Sequence, residues 1–368
     1  MLTVLYIYNW VIHIMNSTTT FKNESTEGSE PLKIIFLYNV KRRRWILPLL
    51  IVILIVLAFF SLFVGPSMSS VFRGDEAALR FLRHHYIPRT LAVLVAGVGM
   101  SICGLIMQAL TNNKFVSPTT AGTLEGARLG ILLALMMVPA ASIWVRGVFS
   151  FVITMASTAL FIFIIECIKV KNSTFVPLVG IIYGGVLAAI TMLIALRLDI
   201  VQLVSVLLMG DFSMILTGSY ELILVTIPLI IVAYLFANYF MIVGLGSDMS
   251  KNLGVNYKLT MGFGLTIVAM ITTLVLLTAG IIPFLGLVIP NIVSIYMGDN
   301  LKKSLPHTAI LGGVFLLVCD MIARVIIYPF EVPVSLVAGV MGAVLFLGLL
   351  LIKRDKNKVK KMKEVKAV

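Results

Sequence analysis

Charge is scarce in this sequence. Only 12% of its 368 residues are Asp, Glu, Lys or Arg, about half the share found in a soluble globular domain. Set beside 60% hydrophobic residues and a mean hydropathy of +1.07, that scarcity excludes a fold that hides its apolar surface from water alone. The excess has to face lipid. Cysteine is also rare. Cys103, Cys167 and Cys319 lie in or beside apolar runs with no CxxC spacing, which excludes a disulfide framework and a thiolate metal site. The four histidines, His13, His84, His85 and His307, are scattered, and the adjacent His84–His85 reads as an exposed loop pair. No G-x-x-x-x-G-K-[ST] occurs, so the chain cannot cradle nucleotide phosphates itself. Paired aspartates and Ser/His sets at helical spacing are missing too, which argues against an intramembrane enzyme. The net charge of +13 is not that of a nucleic-acid binder, because no aromatic residues interleave its basic tail.

What is present is a series of long apolar runs. A bilayer core needs roughly 20 apolar residues in a helix. Runs of that kind occur at 45–65, 89–110, 124–141, 147–168, 175–196, 220–241, 259–281, 284–298, 307–328 and 334–352. The expectation is an all-α, polytopic membrane protein with about ten spans. Lys41, Arg42, Arg43 and Arg44 precede the first run, and eight Lys or Arg crowd 353–366 after the last. Basic residues favour the cytoplasmic side, so both ends are expected there, at the cell membrane. Residues 1–40 read as a poorly ordered leader, with Met15 as an alternative start, residues 41–353 as the membrane domain, and 354–368 as a basic tail.

Within the spans, Gly122, Gly126 and Gly130 form a GxxxGxxxG, and Gly180 and Gly184 a GxxxG. Such small-residue spacing lets helices approach closely. Two Gly/Pro-interrupted stretches, 111–130 and 280–290, suggest broken helices of the kind that line a substrate path. Charged residues in or beside the spans are few: Glu125, Arg128, Glu166, Asp320 and Arg324. Asp320 and Arg324 are i,i+4 on one helix and read as a structural ion pair.

Three stretches resemble a known family. Ile87-Pro-Arg-Thr-Leu-Ala92, with Gly97, Gly104, Gln108, then Asn112-Asn-Lys-Phe-Val-Ser-Pro118, Gly122 and Gly126-Ala127, forms the first. Gly280-Ile-Ile-Pro-Phe-Leu-Gly-Leu-Val-Ile-Pro290 is the second. The third runs from Leu305-Pro306 through Gly312, Asp320 and Arg324 to Glu331-Val-Pro333 and Gly342. In this order they resemble the FecCD/vitamin-B12-type ABC importer permease family, over roughly residues 45–352. The wording is most similar to the branch for catecholate-type ferric siderophores. Four positions depart from the family pattern: Tyr86 for an Arg, Lys114 for a Pro, Asn291 for a His and Ser335 for a Gly.

The resemblance implies a type II ABC importer permease architecture and a transport subunit that is not itself an enzyme. It implies ABC ATPase subunits that use the ATP, a substrate-binding lipoprotein, a second permease chain (the same or related), a ferric siderophore and no cofactor or metal bound by this chain. It places the ATPase-coupling loop at Gly246, Ser247, Asp248, Met249, Lys251, Asn252, Leu253, Gly254 and Val255. Ser247 is suited to cap a short helix there and Gly254 to end it. It also points to Arg73, Arg80, Arg83 and Arg89, on an unusually basic outer loop, as docking residues for the binding protein. The residues leave two alternatives open: an ion-coupled secondary transporter using Glu125, Asp320 and Arg324, and an ABC importer of haem or a cobalamin.

Overall fold

A computed structural model of the chain describes residues 30–64, 76–118, 122–137, 140, 142–168, 175–215, 218 and 220–365. It divides into two compact units, Met1–Ile46 and Leu47–Val368. The first is described only over the opening turns of one helix, and the second holds all the geometry that follows. Arg73 falls among residues 65–75, outside the described residues.

The fold is all-helical because hydrocarbon offers backbone N–H and C=O groups no water, and a helix pairs them within one segment. Helix α1 (Glu30–Ser61) comes first. Then α2 (Glu76–Phe81) continues through a π-helical turn at Leu82–Tyr86 into α3 (Ile87–Leu110). Next are α4 (Thr123–Met137), α5 (Ile143–Ile168), α6 (Phe175–Arg197) and a short α7 (Val201–Leu208). The single turn α8 (Glu221–Leu224) leads into α9 (Thr226–Val243), followed by a second short helix, α10 (Ser247–Asn252). Helices α11 (Tyr257–Ala279), α12 (Leu285–Met297), α13 (Leu301–Val325) and α14 (Val334–Val365) complete the chain. Seven of the apolar segments are long enough to cross a membrane unaided, and Trp45–Ser61 and Leu285–Met297 are shorter. With α4 these make ten, matching the ten runs, and the chain is a multi-pass membrane protein. Helix α1 starts at Glu30, ahead of the boundary at 41, and α14 stays helical through the basic tail to Val365. Helix α7 was not foreseen, since eight apolar residues are too few to register as a span.

Helix α3 is the axis. Of its most apolar window 78% is buried, against 17% for Val334–Leu351, so the first is a core helix and the second a peripheral one. Its neighbours come close because both sides lack side chains at the crossings. A Cβ on Gly97 would lie 2.6 Å from the Gly312 carbonyl oxygen of α13, and one on Gly104 would overlap the Gly286 carbonyl of α12. Pro290 has no N–H to give that Gly286 carbonyl, so the proline and the two glycines form one device for seating a half-length helix against the axis. Helix α12 starts abruptly, at Phe284 in the left-handed region (φ 62°), with its ring packed on Gly342 of α14. The chain just before it is stitched to the segment after α7: Ile281 N–H donates to Leu208 at 3.0 Å and Asp211 N–H to Ala279 at 3.1 Å. Ser335 N–H then donates to Gly210 at 2.9 Å.

The GxxxGxxxG does the same work between α4 and α5. Gly126 lies against Ser157 and Gly130 against Ser150. A ladder of hydroxyls follows: Ser150 donates to the Ala127 carbonyl at 2.9 Å, and the Tyr183 hydroxyl of α6 donates to the Ser157 carbonyl at 2.8 Å.

The crossing at Gly104 gives the first prediction. Gly104→Ala puts a methyl group into a backbone carbonyl that no rotamer change can move, so it should destabilise the purified chain by at least about 1–3 kcal/mol. Gly262→Ala, where a Cβ would meet nothing within 4 Å, should be neutral or mildly stabilising. Thermal melts of both variants in detergent test this, and equal melting temperatures would remove the close crossing as the reason for glycine.

Candidate functional site

Helix α3 carries a candidate site at each end, about 30 Å apart along its axis. At its first turn Arg89 points inward. Its Nε and Nη2 donate to Asp320 Oδ1 at 3.0 and 2.9 Å, and its Nη1 donates to Glu331 Oε2 at 2.6 Å. Arg324, one turn beyond Asp320, donates to the other oxygen, Oδ2, and to the Ser61 carbonyl at 2.9 Å. The Tyr86 ring lies 5.5 Å from the Arg324 guanidinium carbon. Asp320 is fully buried, the two arginine side chains are 7% and 1% exposed, and Glu331 is one-third exposed. Two cations and two anions thus close a neutral cluster that ties α1, α3, α13 and the turn before α14 together.

The foreseen pair of Asp320 and Arg324 is therefore half of a larger set. Arg89, grouped with the docking arginines from sequence, is not a surface residue. Its Nε, Nη1 and Nη2 are all bonded to the carboxylates of Asp320 and Glu331, and geometry of this kind leaves little of its charge for a partner. Arg80 and Arg83 are exposed, and Arg80 is bonded to Glu76 at 2.9 Å with both side chains mostly in solvent, a pair worth less than about 1 kcal/mol. Sequence reasoning missed Glu331 and Ser61. Glu331 stood inside a recognised motif but lies seven residues beyond Arg324, past the reach of helical spacing, and Ser61 contributes only a carbonyl.

At the other end Gly244 packs where a Cβ would overlap the Ala109 carbonyl, near the last turn of α3. Helix α10 follows. Its cap is Gly246 (φ 101°) and not Ser247, which is already its first residue; no side chain caps it. Gly254 has φ 73° and closes the helix with two backbone bonds, Gly254 N–H to Lys251 at 3.0 Å and Val255 N–H to Ser250 at 2.8 Å. That pairing uses up carbonyls the helix end would otherwise leave open. Ser250 is buried and donates to the Gly246 and Ile242 carbonyls at 2.7 and 3.1 Å, and Asn256 Oδ1 caps α11 by accepting from Leu259 N–H. The loop is thus fastened at both ends. Leu245, Met249 and Leu253 are each more than half exposed. Met249 and Leu253, four residues apart, share one face of α10, Leu245 stands just before its cap Gly246, and Asp248 and Lys251 are exposed beside them.

The 111–118 segment lies at this same end. Lys114 pairs with Asp299 at 2.7 Å, and Asn291 Nδ2 donates to the Lys114 carbonyl at 2.8 Å. Two of the departures from the family pattern, Lys114 and Asn291, are therefore bonded to each other. Among the described residues no group of three or more His, Cys, Asp or Glu side chains is placed to hold a metal ion.

The model of the FecCD transport family matches residues 48–353 of this chain. The petrobactin import system permease protein YclN of Bacillus subtilis is 47% identical over 305 residues, covering 82% of this chain and 96% of the relative. The ferric-anguibactin transport system permease protein FatD of Vibrio anguillarum is 38% identical over 304 residues, covering 80% and 97%. Among solved structures, a metal-chelate type ABC transporter in an inward-facing conformation aligns with a TM-score of 0.72 at 21% identity, covering 84% of this chain and 99% of that one. That likeness shows the fold.

The charged cluster yields a second prediction. Asp320→Ala leaves two buried guanidiniums facing one carboxylate and should cost about 3–5 kcal/mol. Asp320→Asn combined with Arg324→Gln leaves the Arg89–Glu331 pair intact and should recover most of the folded yield. Size-exclusion profiles of the two variants from the same membranes decide it; an equal loss in both would mean that charge balance is not what the cluster maintains.

Proposed function

The chain belongs to the FecCD transport family, and from that premise we propose that it is the membrane permease of an ATP-driven importer of ferric siderophores. The observation that carries the substrate class is the near full-length likeness to relatives named for petrobactin and ferric anguibactin. Since the sequence holds no phosphate-cradling motif, the ATPase is a separate subunit. A binding protein delivers the chelate, and a second permease chain completes the path. The chain itself performs no hydrolysis and holds no cofactor.

Helix α10 is the element that fits the ATPase. A transmitter has to be rigid, because a slack loop would absorb the motion of its partner. Here the Ser250 hydroxyl bonds the short α10 to the Ile242 carbonyl of α9, the two bonds around Gly254 close its far end, and Gly244 sets α9 directly on α3. The exposed Leu245, Met249 and Leu253 offer the apolar contact, and Asp248 and Lys251 the register. On the far side, Arg80 and Arg83 supply exposed positive charge for the binding protein, while Arg89 supports that surface from below through its carboxylates. Asp320 accepts from two arginines and Glu125 from Arg128, so both carboxylates are engaged by guanidiniums, which argues against a proton relay. The basic flanks of the first and last spans support a cytoplasmic position for both termini and for α10.

The test is ATP hydrolysis by the reconstituted complex with loaded binding protein. Gly254→Val forces a β-branched residue into a left-handed backbone and should abolish stimulated hydrolysis and uptake while leaving insertion intact. Asp248→Cys, in a Cys167→Ser background because Cys167 is exposed, should react with an impermeant thiol reagent only after the cells are opened. Wild-type stimulation in Gly254→Val would reduce α10 to a connector, and labelling of intact cells would invert the topology.

A further inference from the structure

One charged pair sits inside the membrane domain, apart from the cluster around Arg89. Glu125 and Arg128 lie on α4, with Arg128 Nη1 donating to Glu125 Oε1 and Oε2 at 2.9 and 3.0 Å. Their depth follows from their neighbours. Gly126 and Gly130 touch Ser157 and Ser150 of α5, which lie about 21 and 10 Å from the start of a helix about 39 Å long. Glu125 packs its Cγ against Gly184, near the middle of α6. Both charges are therefore close to the mid-plane of the membrane domain.

They are also open on one side. The Arg128 side chain is 30% exposed and that of Glu125 16%. Beside Glu125, a Cβ on Gly185 would meet nothing within 4 Å, and Ile181, Ile182 and Val186 of α6 are exposed. Arg128 borders a recess that also touches Leu135 of α4 and Val204 and Leu208 of α7. An arginine at this depth that faced lipid would be strongly disfavoured, and such groups face a protein interior or a wet cavity. Its Nε is buried without a hydrogen-bond partner among the described residues, while Nη1 alone serves both Glu125 oxygens. The guanidinium is thus held by one corner, with donor capacity left over.

We propose that Arg128 is a substrate-contacting residue of the import path, taking the anionic oxygen shell of a ferric chelate, and that Glu125 is its positioning residue. This rests on the reading of the chain as a ferric-siderophore permease. Oxygen-donor chelates of Fe(III) built from catecholate or carboxylate groups are anions, and a guanidinium is the side chain best matched to paired oxygen acceptors. With the path empty, Glu125 neutralises Arg128. When the chelate arrives its oxygens compete with Glu125, and when it leaves the carboxylate returns. Exchange of this kind keeps the contact weak enough for passage, as conduction through any selective path requires.

The two residues then have opposite signs in a binding measurement. Equilibrium binding of radio-iron ferric petrobactin to the permease–ATPase complex in nanodiscs, without binding protein, is the assay. Arg128→Gln should weaken binding about tenfold and Arg128→Lys less, because the lysine keeps the charge without the fork. Glu125→Gln should tighten it and slow uptake in proteoliposomes, since the competing anion is gone. A merely structural pair would move both variants the same way, through loss of folded protein. Unchanged binding in Arg128→Gln, or no binding to the wild-type complex, overturns the inference. Loss of the second permease chain from the variant complex does so too, by making the pair an assembly contact. Wild-type proteoliposomes that take up no ferric chelate at all overturn the underlying reading instead.

Discussion

The distance at which helix backbones can pass α3 is the constraint on which the rest of this structure depends. Hydrocarbon supplies little hydrophobic drive between helices, so their association rests on tight packing and on internal hydrogen bonds. Gly97 against Gly312 and Gly104 against Gly286 bring α13 and α12 to near backbone contact with the axis. The first of these crossings sets Asp320 and Arg324, two to three turns further along α13, level with Arg89. The second lets a half-length helix begin inside the membrane domain.

What happens at the two ends follows from that axis. At one end, close approach buries Arg89, Asp320 and Arg324, and burial is tolerable because each oxygen of Asp320 has a guanidinium partner. At the other, Gly244 lets α9 rest on the last turn of α3, so α10 is connected to the core through backbone contacts. The same helix thus underlies both surfaces that the proposed function assigns to a delivering protein and an ATPase. A motion imposed on α10 reaches the axis directly, which is the mechanical property an ATP-driven permease needs. The Glu125–Arg128 pair lies between the two ends, with Glu125 against α6 and Arg128 beside α7.

Much of this was legible in the sequence, for identifiable reasons. Each of the ten apolar runs holds a helix among the described residues, because run length and helical rise are tied to one bilayer thickness. Nine of these are apolar segments, and the tenth, α4, carries Glu125 and Arg128. Gly126 and Gly130 were read as packing residues and do pack, since spacing by four places them on one face, while Gly122 packs on Tyr183 from a left-handed position just ahead of the helix. Gly254 was read as a helix stop and has the left-handed backbone that a stop requires. What escaped depends on contacts between distant residues. Nothing local to Arg89 announces that its partners lie 231 and 242 residues away. The contact between Lys114 and Asn291 spans 177 residues, so each looked like an isolated departure. Ser247 was assigned as a cap on residue type alone, whereas Gly246 takes a backbone angle that only glycine adopts without strain.

The central claim is that import through this chain is driven by a partner's ATP hydrolysis and carries iron as an intact chelate. Proteoliposomes containing the permease and its ATPase, with ATP inside and radio-iron ferric petrobactin on its binding protein outside, test that claim most directly. The account predicts accumulation that requires both hydrolysable ATP and the binding protein, and that persists when proton and sodium gradients are collapsed. Accumulation by the permease alone, driven by an imposed ion gradient and indifferent to ATP, would contradict it.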